Sequence, residues 1–554
     1  MEFIKKHSVL SAVLILLLAC FFVLFYGLGS YPFIDVDETR YAIMAREILL
    51  SHDWVTMQFN FEPFFDKPPL YFWLVAISYK IFGVMSSFAA RLPVALLAAV
   101  SVFATYYFVK RVKSNISGLV SALILLTMLE FTVLARISII DMVFAAILTL
   151  SVYSGALTNF CEEKNEKFYW YVSYALMGLA ILAKGLVGFV LPFGILFVFA
   201  VFTKRLKNFF NPVNIIPSFI IMLLVSMPWY VAMYQKHGMI FIEEHIIRHH
   251  FGRFIDSGGL KEKEPVWYFI PVLLIGIFPY VFNFLALIIK QTKNAVLLGG
   301  EVFGKIQDWF VELDNSKKLN IFALVYAVCV FGFFSISSGK LPTYILPMFP
   351  AVAILLGNFW CDYLIKDENK YLIKFSSMFL AFTLFIGGMF ALASSYLLPQ
   401  DVADLVAPMK IIVAVWFLLT SFLLLAFIGM KKKYLVFAMH VLFMAGVSII
   451  AVHYVFDLIH KGGQNELAEY SSVANEQKAA ELVTYNFGIR PSAYLHFPAG
   501  MVFITEPDKL RLQKILSDKN NVFVIIKNSN EDNNIEAFSL TQVKQGNKYS
   551  LYRN

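Results

Sequence analysis

Asp35-Val36-Asp37-Glu38-Thr39-Arg40-Tyr41 follows an apolar run, Val9 to Tyr26, and precedes a second charged stretch, Phe65-Asp66-Lys67-Pro68-Pro69. Ionised side chains at a bilayer boundary are costly to bury and easily dispensed with, so their density here points to work done at that surface. The run before them follows Lys5 and Lys6 as a signal peptide would. It has no small-residue cleavage site and continues into charged sequence, so it reads as a retained anchor.

Working outward, the composition agrees. Of 554 residues 59% are hydrophobic and 15% charged, with a mean hydropathy of +0.69, outside the range of soluble globular chains and within that of integral membrane proteins. Further apolar runs cover 91–109, 116–135, 142–160, 170–183, 187–202, 215–233, 266–289, 321–335, 344–360, 375–398, 409–428 and 434–456. At about 20 residues per span this predicts a polytopic α-helical membrane protein of about 13 transmembrane helices. The net charge of +8 comes from lysines and arginines in short tracts between the apolar runs, which argues against a nucleic-acid partner. Cys20, Cys329 and Cys361 lie in apolar segments and Cys161 in a basic loop, with no disulfide or zinc spacing.

Those basic tracts fall on alternate connections: Lys110 to Lys113, Lys164 to Lys167, Lys204 to Lys207, Lys290 to Lys318, Lys366 to Lys370 and Lys431 to Lys433. By the positive-inside rule that side, with the amino terminus, is cytoplasmic. The other connections carry the acidic stretch, Arg136 to Asp141, Lys184-Gly185, the loop Gln235 to Pro265 and Ser337 to Tyr344, and face outward. An odd number of spans puts the carboxyl terminus outside too. The chain therefore divides into a transmembrane part, 1–460, and a small extracytoplasmic α/β domain, 461–554. In the latter, helices are expected over 466–485 and 507–516 and strands over 493–497, 501–504, 522–527 and 549–552. No phosphate loop, nucleophile elbow or metal spacing occurs there, which points to an accessory role.

The outward groups make a coherent set if packing gathers them. A carboxylate can act as a general base, bind a metal or orient an acceptor, while Lys and Arg suit the phosphate of a departing group. The combination fits phosphate departure from a sugar. Duller readings exist for each residue. Asp37 can cap a juxtamembrane helix with Arg40 as its surface partner, and Asp141 can cap the span it opens. Lys184 can snorkel toward headgroups, and Tyr344 can belong to an interfacial aromatic belt. In the long loop His245 and His249 share a helical face at a spacing of four, but no third ligand is fixed, so solvated histidines are the plainer reading. Arg253 in Gly252-Arg253-Phe254 is a candidate anion contact.

Asp-Glu-Thr-Arg-Tyr-Ala from Asp37, then Asp66-Lys67-Pro68-Pro69, Asp141, and Lys340-Leu341-Pro342-Thr343-Tyr344 together resemble the GT-C membrane glycosyltransferases. Within them the pattern is most similar to the bacterial branch holding the aminoarabinose transferase of lipid A and relatives of the protein O-mannosyltransferases. The resemblance covers about residues 1 to 460. It implies an inverting glycosyltransferase of the bacterial inner membrane. Such an enzyme moves a sugar from a polyprenyl-phosphate donor to lipid A or another cell-envelope glycan or lipid at the outer face. The alternatives are a protein O-mannosyltransferase-like enzyme and a polytopic transporter, the latter disfavoured because the charges lie in loops at one face. Carried over by position, Asp37 and Asp141 are the catalytic carboxylates. Arg40, Tyr41, Lys67, Lys340 and Tyr344 would bind substrate on the same carry-over, and Glu38, Lys184 and Arg253 join them as candidate contacts on the reading of the outward loops. Asp66 and His250 are the candidate metal ligands, for Mg, Mn or Zn. Asp66 stands where a Glu is often seen, and Phe64 where the aminoarabinose enzymes often have Tyr.

Overall fold

Lipid offers no hydrogen bonds to an open backbone, so each apolar run must close its own as a helix. The computed structural model describes residues 8–160, 165–252, 264–298, 314–455, 463–529 and 538–554. Among these, eight helices are long and apolar enough to cross a membrane: Ser87–Val112, Ile140–Leu157, Pro212–His237, Asn315–Ile336, Pro342–Lys366, Lys370–Leu397, Lys410–Gly429 and Lys433–Tyr454. A ninth span results if Val266–Gly276 and Val281–Lys293, bent by 120°, are taken together. Shorter apolar helices Val9–Phe25, Asn115–Leu126 and Val187–Phe202, with Glu166–Lys184, occupy the remaining runs.

Besides the bend in the run 266–289, the structure departs from the sequence reading at two places in this region. The run 116–135 breaks into Asn115–Leu126 and the six-residue helix Leu129–Leu134. Backbone groups freed at the break are taken up: Leu129 N–H donates to the Phe278 carbonyl at 3.0 Å, and Thr127 Oγ1 to that of Leu123 at 2.6 Å. The second departure is an extra apolar helix, Leu70–Phe82, directly after Pro68-Pro69. At 1.5 Å per residue it is too short to cross a hydrocarbon core of about 30 Å.

The carboxyl-terminal part holds a five-stranded sheet. Its strands run in the order 502–504, 481–485, 522–527, 549–553 and 541–545, the first three parallel and the last two pairings antiparallel. Here the expected elements shift. The helix starting near 466 stops at Glu476, and Glu481-Leu482-Val483-Thr484-Tyr485 is a buried strand, as its β-branched and aromatic content favours. The segment expected as a strand at 493–497 includes a 3-10 turn, Pro491–Tyr494, and is bracketed by Pro491 and Pro498, which cannot donate to a ladder. The strand Thr541–Gln545 is polar and exposed throughout and gave no hydrophobic signal.

Two buried arginines fix how the acidic stretch leaves the first span. Arg91, fully buried, donates to both oxygens of Glu38 at 2.7 and 2.8 Å, and to the carbonyls of Leu28, Tyr31 and Pro32 at 3.1, 2.7 and 2.7 Å. Arg136 donates to the carbonyls of Val23 and Tyr26 at 2.8 and 2.6 Å, and accepts from Tyr31 through its own carbonyl at 2.7 Å. The helix Asp37–Ser51 that follows is clasped on its far side by the sheet-bearing part. Glu47 accepts from Tyr494 Oη at 2.7 Å, Arg46 donates to the Leu495 carbonyl at 3.0 Å, and Asn60 exchanges two hydrogen bonds with the Met501 backbone, both 2.8 Å.

Candidate active site

Three carboxylates from three parts of the chain each carry a cation. Asp37 opens the helix Asp37–Ser51, where a negative charge in the first turn complements the helix dipole, and it pairs with Arg40 one turn on. Asp66 precedes Pro68-Pro69 and pairs with Lys67 at 3.2 Å. Asp141 sits in the first turn of Ile140–Leu157 and pairs with Lys184, the last residue of Glu166–Lys184, which Gly185 ends with φ +79°. Asp141 is not the cap of its helix, a position held by Ile139, and Lys184 is a half-buried partner rather than a snorkelling chain.

The carboxylates of all three pairs act electrostatically on Tyr41. Its ring is buried edge-on to Tyr71 and Phe72, each at 5.6 Å. Burial pushes its hydroxyl up most, Asp37 adds to that, Arg40 opposes it, and Asp141 and Asp66 add further. All three carboxylates thus act on one buried hydroxyl. Arg40 lies 5.5 Å from the Tyr41 ring and 5.7 Å from that of Phe64, and its buried Nε has no hydrogen-bond partner. Phe64 thus supplies a face for the guanidinium in place of a hydroxyl. Tyr344, on the turn Pro342–Met348, closes one side, with the Lys184 ammonium 4.4 Å from its ring centre.

Other expected residues lie elsewhere. Glu38 is 1% exposed, and its oxygens accept from Arg91 twice, from Ile34 N–H at 2.8 Å and from Ser138 N–H at 2.7 Å. A carboxylate offers about four acceptor sites, so none is left for a ligand, and the expected substrate contact is corrected to a scaffold. Lys340 is spent on the carbonyls of Ser337 and Glu264 at 2.6 and 3.0 Å, and no interaction among the described residues joins it to the three pairs. Arg253 lies outside the described residues, as does the side chain of His250.

The histidine that reaches Asp66 is His249, with Nδ1 at 3.3 Å and Nε2 at 3.9 Å from Glu244. The helix Ile242–Gly252 is π-wound, so a spacing of four no longer stacks side chains on one face. His245 points inward instead: it donates through Nδ1 to the Phe65 carbonyl at 2.6 Å, stacks on Phe241 and is driven down to about 4 by burial. Neutral at physiological pH, it braces the residue before Asp66. Among the described residues no three His, Cys, Asp or Glu converge as a metal site, and Asp66 is already shared between Lys67 and His249.

Sequence reasoning missed Glu130. It lies on the short helix Leu129–Leu134, with Oε1 buried and unpartnered. Set inside an apolar run, it carried no motif.

Against solved structures, the chain superposes on ArnT from Cupriavidus metallidurans bound to undecaprenyl phosphate with a TM-score of 0.79 at 21% identity, covering 98% of this chain and 97% of that one. The fold is that of the GT-C membrane enzymes. A more distant GT-C match is the archaeal oligosaccharyltransferase AglB from Archaeoglobus fulgidus, with a TM-score of 0.53 at 11% identity over 95% of this chain and 70% of that one. In sequence, the profile of the dolichyl-phosphate-mannose-protein mannosyltransferase family matches residues 66–231. An undecaprenyl phosphate-alpha-4-amino-4-deoxy-L-arabinose arabinosyl transferase of Yersinia pestis is 31% identical over 360 residues, 62% of this chain and 59% of the relative. One from Edwardsiella ictaluri is 28% identical over 348 residues, 62% and 58%. The chain thus spans about three-fifths of the length of the curated relatives it matches. The GT-C frame accounts for the polytopic helices and for the sheet-bearing part behind them.

Proposed function

We propose that this protein is a glycosyltransferase that moves a sugar from a polyprenyl-phosphate carrier to a lipid A-type acceptor at the outer face of the bacterial inner membrane. The observation that carries the reading is three cation-paired carboxylates, Asp37, Asp66 and Asp141, that all act on the buried Tyr41 hydroxyl in a GT-C fold. The likeness to aminoarabinose transferases favours a 4-amino-4-deoxy-arabinose donor on undecaprenyl phosphate. On the positive-inside rule the amino terminus is cytoplasmic and the sheet-bearing part extracytoplasmic.

In this mechanism the acceptor oxygen attacks the anomeric carbon from the face opposite the phosphate, the carbon–oxygen bond to phosphate breaks, and the configuration inverts. Arg40 and Lys67 meet the charge gained by the departing phosphate, the unpartnered Nε of Arg40 being one donor ready for it. Asp37 takes the proton of an acceptor hydroxyl; against a phosphate acceptor, already ionised, it orients. Asp141, held by Lys184, is the second carboxylate.

The test is transfer by purified protein from synthetic undecaprenyl-phosphate sugar to lipid A, followed by mass spectrometry. No product with any polyprenyl-phosphate sugar sinks the reading. The second reading, transfer to protein hydroxyls, draws on the mannosyltransferase profile over 66–231. Sugar found on protein rather than on lipid in cells lacking and regaining this chain would favour it.

A further inference from the structure

A carboxylate inside an apolar run is expensive to keep unless something pairs with it, and Glu130 is kept without a partner. Its Oε1 is buried with no hydrogen bond, and the group has no ion pair among the described residues. A Cβ on Gly276 would lie 2.5 Å from Glu130 Oε2 and 2.7 Å from Phe349 Cζ, so the carboxylate rests on bare helix backbone beside an aromatic ring. The charge that acts on it is a second carboxylate, Asp141. Neither seat nor neighbour neutralises it.

Its position ties it to the site already described. The helix Leu129–Leu134 packs against the turn Pro342–Met348, and so does Ile140–Leu157, the helix that bears Asp141 in its first turn. That turn carries Tyr344, against whose ring the Lys184 ammonium lies. The helices bearing Asp141 and Glu130 thus flank one turn. Asp37, Asp66 and Asp141 each hold a cation, whereas Glu130 holds none among the described residues. A ligand entering here meets one carboxylate whose charge is still to be matched.

A cationic donor matches it, and an ammonium suits a seat made of backbone and ring, being a compact point charge with three N–H donors. A sugar hydroxyl brings a single donor and no charge. In a pyranose the anomeric carbon and the carbon across the ring face opposite ways, so a sugar whose phosphate is held by Arg40 and Lys67 can present an amine to another element of the site. We infer that Glu130 is the specificity-determining residue for the sugar, its carboxylate accepting from the ammonium of an amino-sugar donor. This deepens the transferase reading and rests on it for the chemistry of the donor, while the contact itself is measurable without turnover.

The experiment uses the full-length protein in nanodiscs, with E130Q and E130M, which remove the charge, and E130D, which keeps it. Methionine suits the apolar seat should the amide fail to fold, and thermal melts confirm each variant. Equilibrium binding, donor KM and kcat are measured with synthetic undecaprenyl-phosphate 4-amino-4-deoxy-arabinose and with its N-acetyl and 4-hydroxy counterparts. The wild type should favour the amine over both counterparts by about tenfold or more in binding and in kcat/KM, the scale of a charge-assisted contact to a buried group. E130Q and E130M should lose that preference by weakening the amine donor alone, and E130D should keep part of it. The inference is overturned if the wild type shows no preference for the amine, or if the uncharged variants keep it. It is equally overturned if they weaken all the donors alike, which would mark a structural role. Amine-dependent binding without transfer from any donor would sink the transferase reading and leave the ammonium contact standing; transfer without amine preference would do the reverse.

Discussion

Asp37 and Glu38 are adjacent carboxylates with opposite fates, and substitution should separate them. D37N should lower transfer by about 10²- to 10⁴-fold at an unchanged melting temperature, as expected for loss of a group that moves or orients a proton. E38Q should act on folding instead. It leaves the buried Arg91 guanidinium without its counter-charge, and breaking such a pair costs roughly 3–5 kcal/mol, read as a lower melting temperature. A D37N enzyme at full rate, or an E38Q protein as stable as the parent, would contradict this division. Asp37, Asp66 and Asp141 were legible in the sequence because charge stands out in an apolar chain. Which of two neighbouring acids turns inward was not, because the deciding partner, Arg91, lies 53 positions away. Glu130 was hidden because it sits inside what reads as one continuous apolar run, with no motif around it.

Helices and strands were legible in proportion to their apolar content. The membrane runs announced themselves, whereas Thr541–Gln545 pairs in a sheet with every residue exposed and had nothing to announce. The helix break at Thr127 was equally silent, since the backbone groups it frees are satisfied by Phe278, far along the chain. Close approach of helices is a further property of pairs. Gly357, in Phe349–Lys366, faces Ser121 of Asn115–Leu126 so closely that an added Cβ would lie 2.0 Å from Ser121 Oγ and 2.9 Å from its Cα. Backbone cannot step aside as a side chain can, so Gly357→Ala should cost about 1–3 kcal/mol, and a larger residue more. A melting temperature for G357A equal to that of the wild type would mean the two helices can part freely.

Across the whole molecule, the meeting of loops from residues 37, 66, 141 and 184 was legible only through the family resemblance, because no local pattern sets distances between segments so far apart. Sidedness can be tested directly. In a background without the native cysteines, K514C should react with an impermeant thiol reagent on spheroplasts and K432C only after lysis. The reverse pattern would turn the protein over. The clasp on Asp37–Ser51 predicts that a chain ending at 460 loses activity, since Glu47 and Arg46 would then face water or each other without Tyr494 and Leu495. Protease sensitivity near residue 50 should rise with it. One last consequence concerns turnover. Three carboxylates balanced by three cations leave the resting cluster near neutral. A sugar-phosphate diester entering it adds one negative charge, but the freed lipid monophosphate approaches two. The spent carrier should therefore be held more firmly than the loaded one, so that departure of the bare lipid limits the cycle and undecaprenyl phosphate added from outside slows it.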